Sequence, residues 1–523
     1  MGMLIVKQIK LNAQESEKNL RNKVIKKLHI KADELIKYEI YQKSLDARKE
    51  LNYVYSLKVQ LKNEERYLNK PDVVAYQEPD LSVNKIESNI RPIIVGYGPT
   101  GIFAAVRLVE AGFKPLIFEK GSRIAKRELD VDNFFNGGEL NPLSNVQFGE
   151  GGAGTFSDAK LTTRNRHPFI KYITNILIKY GANPEIAYES HPHIGTDTIR
   201  KIITAITDDL IKAGAEFHFD EPLIDILIED QTIKGIVTSK GEYLSPIVLL
   251  ATGHSAYDVF KILDSHHVVL EQKDFSVGFR VEHPQAFINQ NQYKEHNSSN
   301  LPAAEYFLTA KTSVNKGVYS FCMCPGGYVV PSNSEYETIV TNGMSYAARD
   351  NKLANSAILV QINKTDFGEE LFGGFDYIHD LERHAYQISG SYAALSQNIA
   401  DFMHGEVHDL HFESSYCLGT YNYDFNKFFN PRLIIAFKEA FEHYDHLIPG
   451  FIENGIMVGP ETRSSCPLRI VRDQYFESIN TKGLYPGGEG AGYAGGIVSS
   501  ALDGINIANK ILAKFTSTSH SSI

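Results

Sequence analysis

The chain has 523 residues, 43% of them hydrophobic and 22% charged, enough for two or three domains with separate cores. A formal net charge of −10 speaks against a protein built to coat nucleic acid, which needs positive charge to displace counterions. Four cysteines, at 322, 324, 417 and 466, are too few for a disulfide scaffold, and no apolar run approaches membrane-spanning length. The apolar residues before Lys7 are too few for a signal sequence, and Val6 stands where myristoylation requires Ser or Thr. A reduced, cytoplasmic protein with no membrane partner is expected.

In chain order, Met3 to Leu11 reads as a strand and Ser16 to Leu28 as a helix with Leu20, Val24 and Leu28 on one face. Tyr38 to Ser44 and Tyr53 to Leu61 read as two more strands around the charged turn DARKEL. Residues 63–89 are polar, contain Pro71 and Pro79, and read as a linker. Strands and helices then alternate to about residue 270. From there aromatic residues increase, with strands at Gly317 to Phe321 and Tyr328 to Val330 and helical spacing at Phe372 to Ala400 and Pro431 to His443. A glycine-rich stretch past Gly455 leads to a last helix, Ile497 to Phe515.

The chemistry-bearing signal is IIVGYGPTGIFAAVRLVEAGFKPLIFEKG, which opens on the apolar strand Ile93 to Val95. Gly96, Gly98 and Gly101 fit G-x-G-x-x-G: a tight turn, a backbone that a pyrophosphate can approach, and close packing of helix on strand. Pro99 and Thr100 open the helix, whose free amides and dipole favour phosphate. A second strand, Pro115 to Phe118, ends in Glu119, placed to hold ribose hydroxyls, followed by Lys120. The acid suits the adenosine of FAD or NAD equally. Two later segments favour FAD: Ala251-Thr252-Gly253 resembles the turn by which flavoproteins return to the cofactor. Gly487, Gly488 and Glu489 lead into a glycine-rich helix start at Gly496 and Ile497. There, Glu489 stands where an Asp more usually meets the ribityl chain.

These and further motifs resemble a large, mostly uncharacterised bacterial family of FAD-dependent dehydrogenases, related distantly to the glutathione-reductase superfamily. The stretches are FGEGGAGTFSDAKL (148–161), HPHIGTD (191–197), FSVGFRVEHPQ (275–285), GVYSFCMCPGG (317–327), NGMSYAARD (342–350), GPETRSSCPLRI (459–470) and GEGAGYAGGIVSSALDG (488–504). The N-terminal unit ending in SLDARK matches as well. The resemblance implies bound FAD beside the loop of Gly151, Gly152, Ala153, Gly154 and Thr155, with Lys160 placing positive charge near the ring.

His254, after the Ala-Thr-Gly turn, and His283 are candidate acid–base groups, as are His191 and His193. Arg280 and Arg463, with Arg469, suit a carboxylate or phosphate on a small-molecule substrate. Each of these residues has a structural alternative, a satisfied histidine or an internal ion pair. Cys322 and Cys324 read as buried small residues more readily than as a redox pair, because one intervening residue strains a disulfide ring. No metal is expected, since no second cysteine pair completes a zinc site.

The fold class expected is α/β: a Rossmann-type FAD-binding domain with an inserted α+β substrate domain and a small N-terminal α+β domain. The parts are an N-terminal domain (1–62), the linker (63–89), the FAD domain (90–270 and 455–515), the substrate domain (271–454) and a disordered tail (516–523). The function expected is hydride transfer through flavin N5. With no second G-x-G-x-x-G, either NAD(P)H docks transiently as donor or the substrate supplies the electrons. A flavin sensor without catalysis and an FAD-dependent RNA-modifying enzyme are the alternatives. The lysine-rich N-terminal unit lacks the aromatic stretch that stacks bases. The oligomeric state is left open.

Overall fold

The computed structural model describes residues 3–47, 51–163, 165–294 and 301–518. Parts of the predicted 46–51 turn, at 48–50, and of the tail, at 519–523, lie outside them.

At the N-terminus the alternating strand Met3–Asn12 pairs antiparallel with Asn52–Leu61, which pairs in turn with Leu35–Asp46. Helix Leu20–Leu28 lays Leu20, Val24 and Leu28 on this sheet, as its spacing predicts. The stretch read as a linker departs from expectation. Val73–Tyr76 within it is a fourth strand, paired to Met3–Val6. Val73 fills the small core while its neighbours face outward. This unit docks through backbone bonds from Lys43 N to Tyr188 O (2.7 Å) and from Ser190 N to Lys43 O (2.9 Å).

The middle of the chain builds a five-stranded parallel sheet in the order Leu484–Pro486, Val248–Leu250, Ile93–Val95, Leu116–Phe118, Glu216–His218. The inner strands are short, continuous apolar runs, buried on both faces as parallel strands require. Helix Pro99–Glu110 crosses from the third strand of that order to the fourth. The last helix, Ile497–Thr518, packs so closely on it that a Cβ on Gly504 would lie 2.1 Å from the Thr100 carbonyl oxygen. This helix continues past Phe515, through residues assigned to the tail. A three-stranded antiparallel sheet, Leu223–Glu229, Thr232–Thr238 and Gly241–Leu244, interrupts the alternation.

A seven-stranded sheet follows, in the order Thr309–Lys311, Gly317–Cys324, Leu353–Ile362, Phe275–Pro284, Ile456–Glu461, Ala394–Asn398, Thr420–Asn422. Its pairs are antiparallel except the last. Helix Pro431–Leu447 covers one face, with Phe437 and Phe441 against Phe279 at ring separations of 4.7 and 5.9 Å. Two elements here differ from expectation. Within 372–400, the helix Gly373–Ser389 ends on the left-handed Gly390, and a second short helix opens only at Ile399. The next segment, Ala394–Asn398, is a strand buried at every position, a pattern that apolar spacing alone does not separate from helix. The boundary at 454/455 also falls too early, because Ile456–Glu461 lies inside this sheet.

Candidate functional site

The three glycine turns meet on one cavity of about 1510 Å³, walled by the carboxyl ends of the parallel strands and by the seven-stranded sheet. That exceeds the roughly 300–1,000 Å³ of a single small-molecule pocket.

The first turn is dictated by its glycines. Gly96 has φ +94°, and a Cβ there would lie 2.3 Å from the Ala251 carbonyl oxygen. A Cβ on Gly101 would lie 2.1 Å from the Gly96 carbonyl oxygen, so this glycine sets the distance between helix and strand. Gly98 differs: its backbone is extended (φ −83°, ψ −171°), and a Cβ would find nothing nearer than Gly152 Cα at 3.7 Å. The helix that follows has Pro99 in its first turn and no side-chain cap, so its leading amides are free for an anion. This donor set and open approach fit the pyrophosphate of a dinucleotide such as FAD.

The other turns lean on the first. A Cβ on Gly490 would lie 2.5 Å from the Gly253 carbonyl oxygen, and one on Gly488 would lie 2.3 Å from Thr100 Oγ1. Of the residues predicted to hold the cofactor, all line the cavity except Gly101, Gly151, Thr155 and Gly488, which stand behind its wall. Gly488 N donates to Asp503 Oδ2 at 2.7 Å, and Asp503 is held by Arg472 at 2.7 Å. Thr155 is buried and accepts from Arg127.

Glu119 lines the cavity, yet its carboxylate already accepts three backbone amides at 2.9 Å. These are Gly121 N and Gly149 N on Oε1 and Tyr97 N on Oε2. It therefore ties the first turn to the loop at 149, and Oε2 keeps capacity for a further donor such as a ribose hydroxyl. Lys120 pairs with Asp258 at 3.1 Å and lies over the Phe148 ring.

A buried cation that the sequence reading missed holds the 149–155 loop. Arg127 is fully buried on helix Ile124–Phe135. It donates to the carbonyls of Asn145, Val146, Glu150 and Gly152 and to Thr155 Oγ1, at 2.7–3.0 Å. Burial pushes its guanidinium down to about 9. In sequence it looks like any solvated helical arginine.

Lys160 follows this loop and reaches the seven-stranded sheet, where Nζ donates to the Met323 carbonyl. Around it lie Asp158 and Glu305, each 3.9 Å away. Arg349 bridges that pair, with Glu305 at 2.8 Å. Burial would raise Glu305, but the hydrogen bond from exposed His191 and the charges of Lys160 and Arg349 bring it down to about 2. His254 lines the cavity, with Nδ1 3.7 Å from Glu489, while its buried Nε2 has no partner in the protein. Cys322 also lines the cavity.

The remaining candidates stand elsewhere. Arg280 is fully buried behind the wall, forked onto Glu461 and bonded to Cys322 O (2.8 Å), Asn342 (2.9 Å) and Asn355 (3.2 Å). Its donors are committed within the protein. Arg463 touches the cavity but grips Glu382 bidentately at 2.9 and 2.7 Å. Arg469 makes a surface pair with Glu271 at 2.7 Å. His283 is buried outside the cavity, bonded through Nε2 to Phe451 O at 2.8 Å, and burial lowers it to about 4. His193 bonds Ala347 O and does not line the cavity. These are the internal pairs and satisfied histidines left open above. Sequence alone does not separate an open cation from a buried ion pair.

A family model described as "FAD-dependent protein, C-terminal domain-like" matches residues 274–464, and a domain of unknown function, DUF8436, matches residues 3–62. A protein of Clostridium beijerinckii (strain ATCC 51743 / NCIMB 8052), described as "Uncharacterized protein", is 39% identical over 530 residues, covering 98% of each chain. The chain belongs to the family of this Clostridium protein, and the match over 274–464 supports a FAD-dependent family.

Among solved structures, a glycine oxidase from Bacillus cereus ATCC 14579 is 13% identical, covering 82% of this chain and 96% of that one, with a TM-score of 0.31. A geranylgeranyl bacteriochlorophyll reductase-like protein from Thermoplasma acidophilum is 14% identical, covering 83% and 80%, with a TM-score of 0.36. Likeness at this level carries no argument about the reaction. Among the described residues, no helix is long and apolar enough to cross a membrane.

Proposed function

We propose that the chain is an FAD-dependent oxidoreductase that holds FAD across the three glycine turns and admits a small-molecule substrate from the side of the seven-stranded sheet. One observation carries the reading: an uncapped helix start, an open Gly98 and two further glycine turns wall the same large cavity. On this reading FAD supplies two-electron chemistry at its N5. The chain's own residues bind and orient. The amides after Gly98 and around Gly152 take the pyrophosphate, and the free position of Glu119 takes a ribose hydroxyl. Lys160, fixed on Met323 O, sets a positive charge in the wall. His254, in the cavity wall beside Glu489, is the group that would hold or pass a proton.

The ion-paired lysines of the N-terminal unit do not favour an RNA-binding reading. Lys27, Lys43, Lys58 and Lys62 are ion-paired with Asp72, Glu17, Glu78 and Asp33. Anaerobic reduction of the purified protein, followed at the visible flavin bands, tests the proposal with NADH, NADPH and small organic donors. Bleaching by one of them identifies the electron source. A flavin that no donor reduces would refute the oxidoreductase reading and leave the sensor.

A further inference from the structure

The strand Gly317–Cys324 carries a defect where it borders the cavity. It pairs in step with Leu353–Ile362 as far as Phe321 opposite Ala357, then slips, so that Cys324 faces Asn355. The extra residue makes a bulge, and Cys322 within it has φ +45°, a left-handed conformation that a side-chain-bearing residue rarely adopts in a strand. Two cations pin the bulge: Arg280 donates to Cys322 O at 2.8 Å, and Lys160 donates to Met323 O. Cys322 lines the cavity and Cys324 is buried behind it, with Cys324 Sγ 3.4 Å from Cys322 O. The second thiol therefore reaches back across the single intervening residue to the one that carries the first. Hydrogen bonding with Cys324 and the charges of Arg280 and Lys160 pull the Cys322 thiol below its ordinary value, against the effect of burial. The same bond and burial push Cys324 up. Of the two thiols, Cys322 is the one that a molecule in the cavity meets.

We propose that Cys322 is a nucleophilic thiolate in the cavity wall and Cys324 its resolving thiol, so that the cavity takes small disulfides or the thiols made from them. This rests on the FAD-oxidoreductase reading and gives it a substrate class. The Cys322 thiolate attacks one sulfur of the small disulfide. That S–S bond breaks, a small thiolate leaves, and a mixed disulfide remains on Cys322. Cys324 loses its proton to the departing thiolate and attacks the Cys322 sulfur, and the second small thiolate leaves. The pair has lost two electrons, the small disulfide has gained them, and an intramolecular disulfide has formed. Return to the dithiol takes two electrons, which reduced FAD supplies on the reading above.

The test uses purified full-length protein carrying Cys417→Ser, which removes the exposed thiol, with flavin content read from the visible spectrum. Anaerobic glutathione disulfide is added, released glutathione is counted, and unreduced peptides are mapped by mass spectrometry. The expected result is two glutathiones released per chain and a Cys322–Cys324 linked peptide. Cys324→Ala stops at one release with glutathione on Cys322, and Cys322→Ser gives neither. Iodoacetamide alkylation of Cys322 has its pH midpoint well below the ordinary thiol value of about 8.5, and Cys324→Ala moves it upward. A folded protein with no linked peptide, or with an alkylation midpoint at or above that value, overturns the proposal. Because these readouts are on thiols, inert cysteines in a flavin-bearing protein refute this inference alone. Reactive cysteines in a protein that binds no flavin refute the FAD reading alone.

Discussion

The three glycines of the first turn differ in what a methyl group would meet, and replacing them one at a time separates folding from cofactor binding. In Gly98→Ala the backbone is already extended, and the new Cβ has its nearest neighbour at ordinary contact distance, 3.7 Å. Folding stability of the flavin-free protein is expected to stay within about 0.5 kcal/mol. The same methyl stands where the pyrophosphate approaches. Overpacking there costs about 1–3 kcal/mol, which weakens FAD binding roughly 5- to 150-fold. In Gly101→Ala the Cβ lands 2.1 Å from a backbone oxygen that has no room to yield. That variant is expected to lose on the order of 1–3 kcal/mol of stability or more, with or without flavin. Thermal melts of flavin-free protein give the first quantity and flavin titration gives the second. If Gly98→Ala lowers the melt as far as Gly101→Ala, or binds FAD as tightly as the parent, the assignment of Gly98 to the pyrophosphate is wrong.

Arg127→Met strips the donor from the Asn145, Val146 and Glu150 carbonyls, while Gly152 O keeps Thr155 Oγ1 at 2.8 Å; each buried group left unsatisfied costs about 1–3 kcal/mol, offset in part by relief of the buried charge. Limited proteolysis is expected to open the 145–155 loop, and flavin retention to fall. Arg463→Met leaves Glu382 buried without its partner, so a loss of about 3–5 kcal/mol in denaturant unfolding is expected. Unchanged stability with lost turnover would instead make Arg463 a substrate ligand. His283, buried with its pKa depressed to about 4, contributes stability that is full above its unfolded value of about 6.5 and is lost as pH falls toward 4. The difference is on the order of 3 kcal/mol, and His283→Gln is expected to flatten unfolding free energy measured between pH 7 and pH 5.

What the sequence revealed was local in origin. Gly96, Gly98 and Gly101 were legible because turn, approach and packing distance are set within six residues. Their meeting with Gly253 and Glu489 was legible only through the order of motifs along the chain. Arg127 and the Arg472–Asp503 pair were not, because an arginine's neighbours in sequence carry no mark of whether its tip reaches water or buried partners. Arg280 and His283 were over-read for the converse reason: their partners, Glu461 and Phe451, lie more than 160 residues away. The strand Ala394–Asn398 was hidden by burial on both faces, and Val73–Tyr76 by its brevity.

The most direct measurement is the content of the purified protein itself: acid-released nucleotide identified by chromatography, with the visible spectrum taken beforehand. The account predicts a yellow protein that releases FAD close to one per chain, or takes it up to that ratio when it is supplied. A colourless protein that fails to bind added FAD while folded, or that carries NAD in its place, would contradict it.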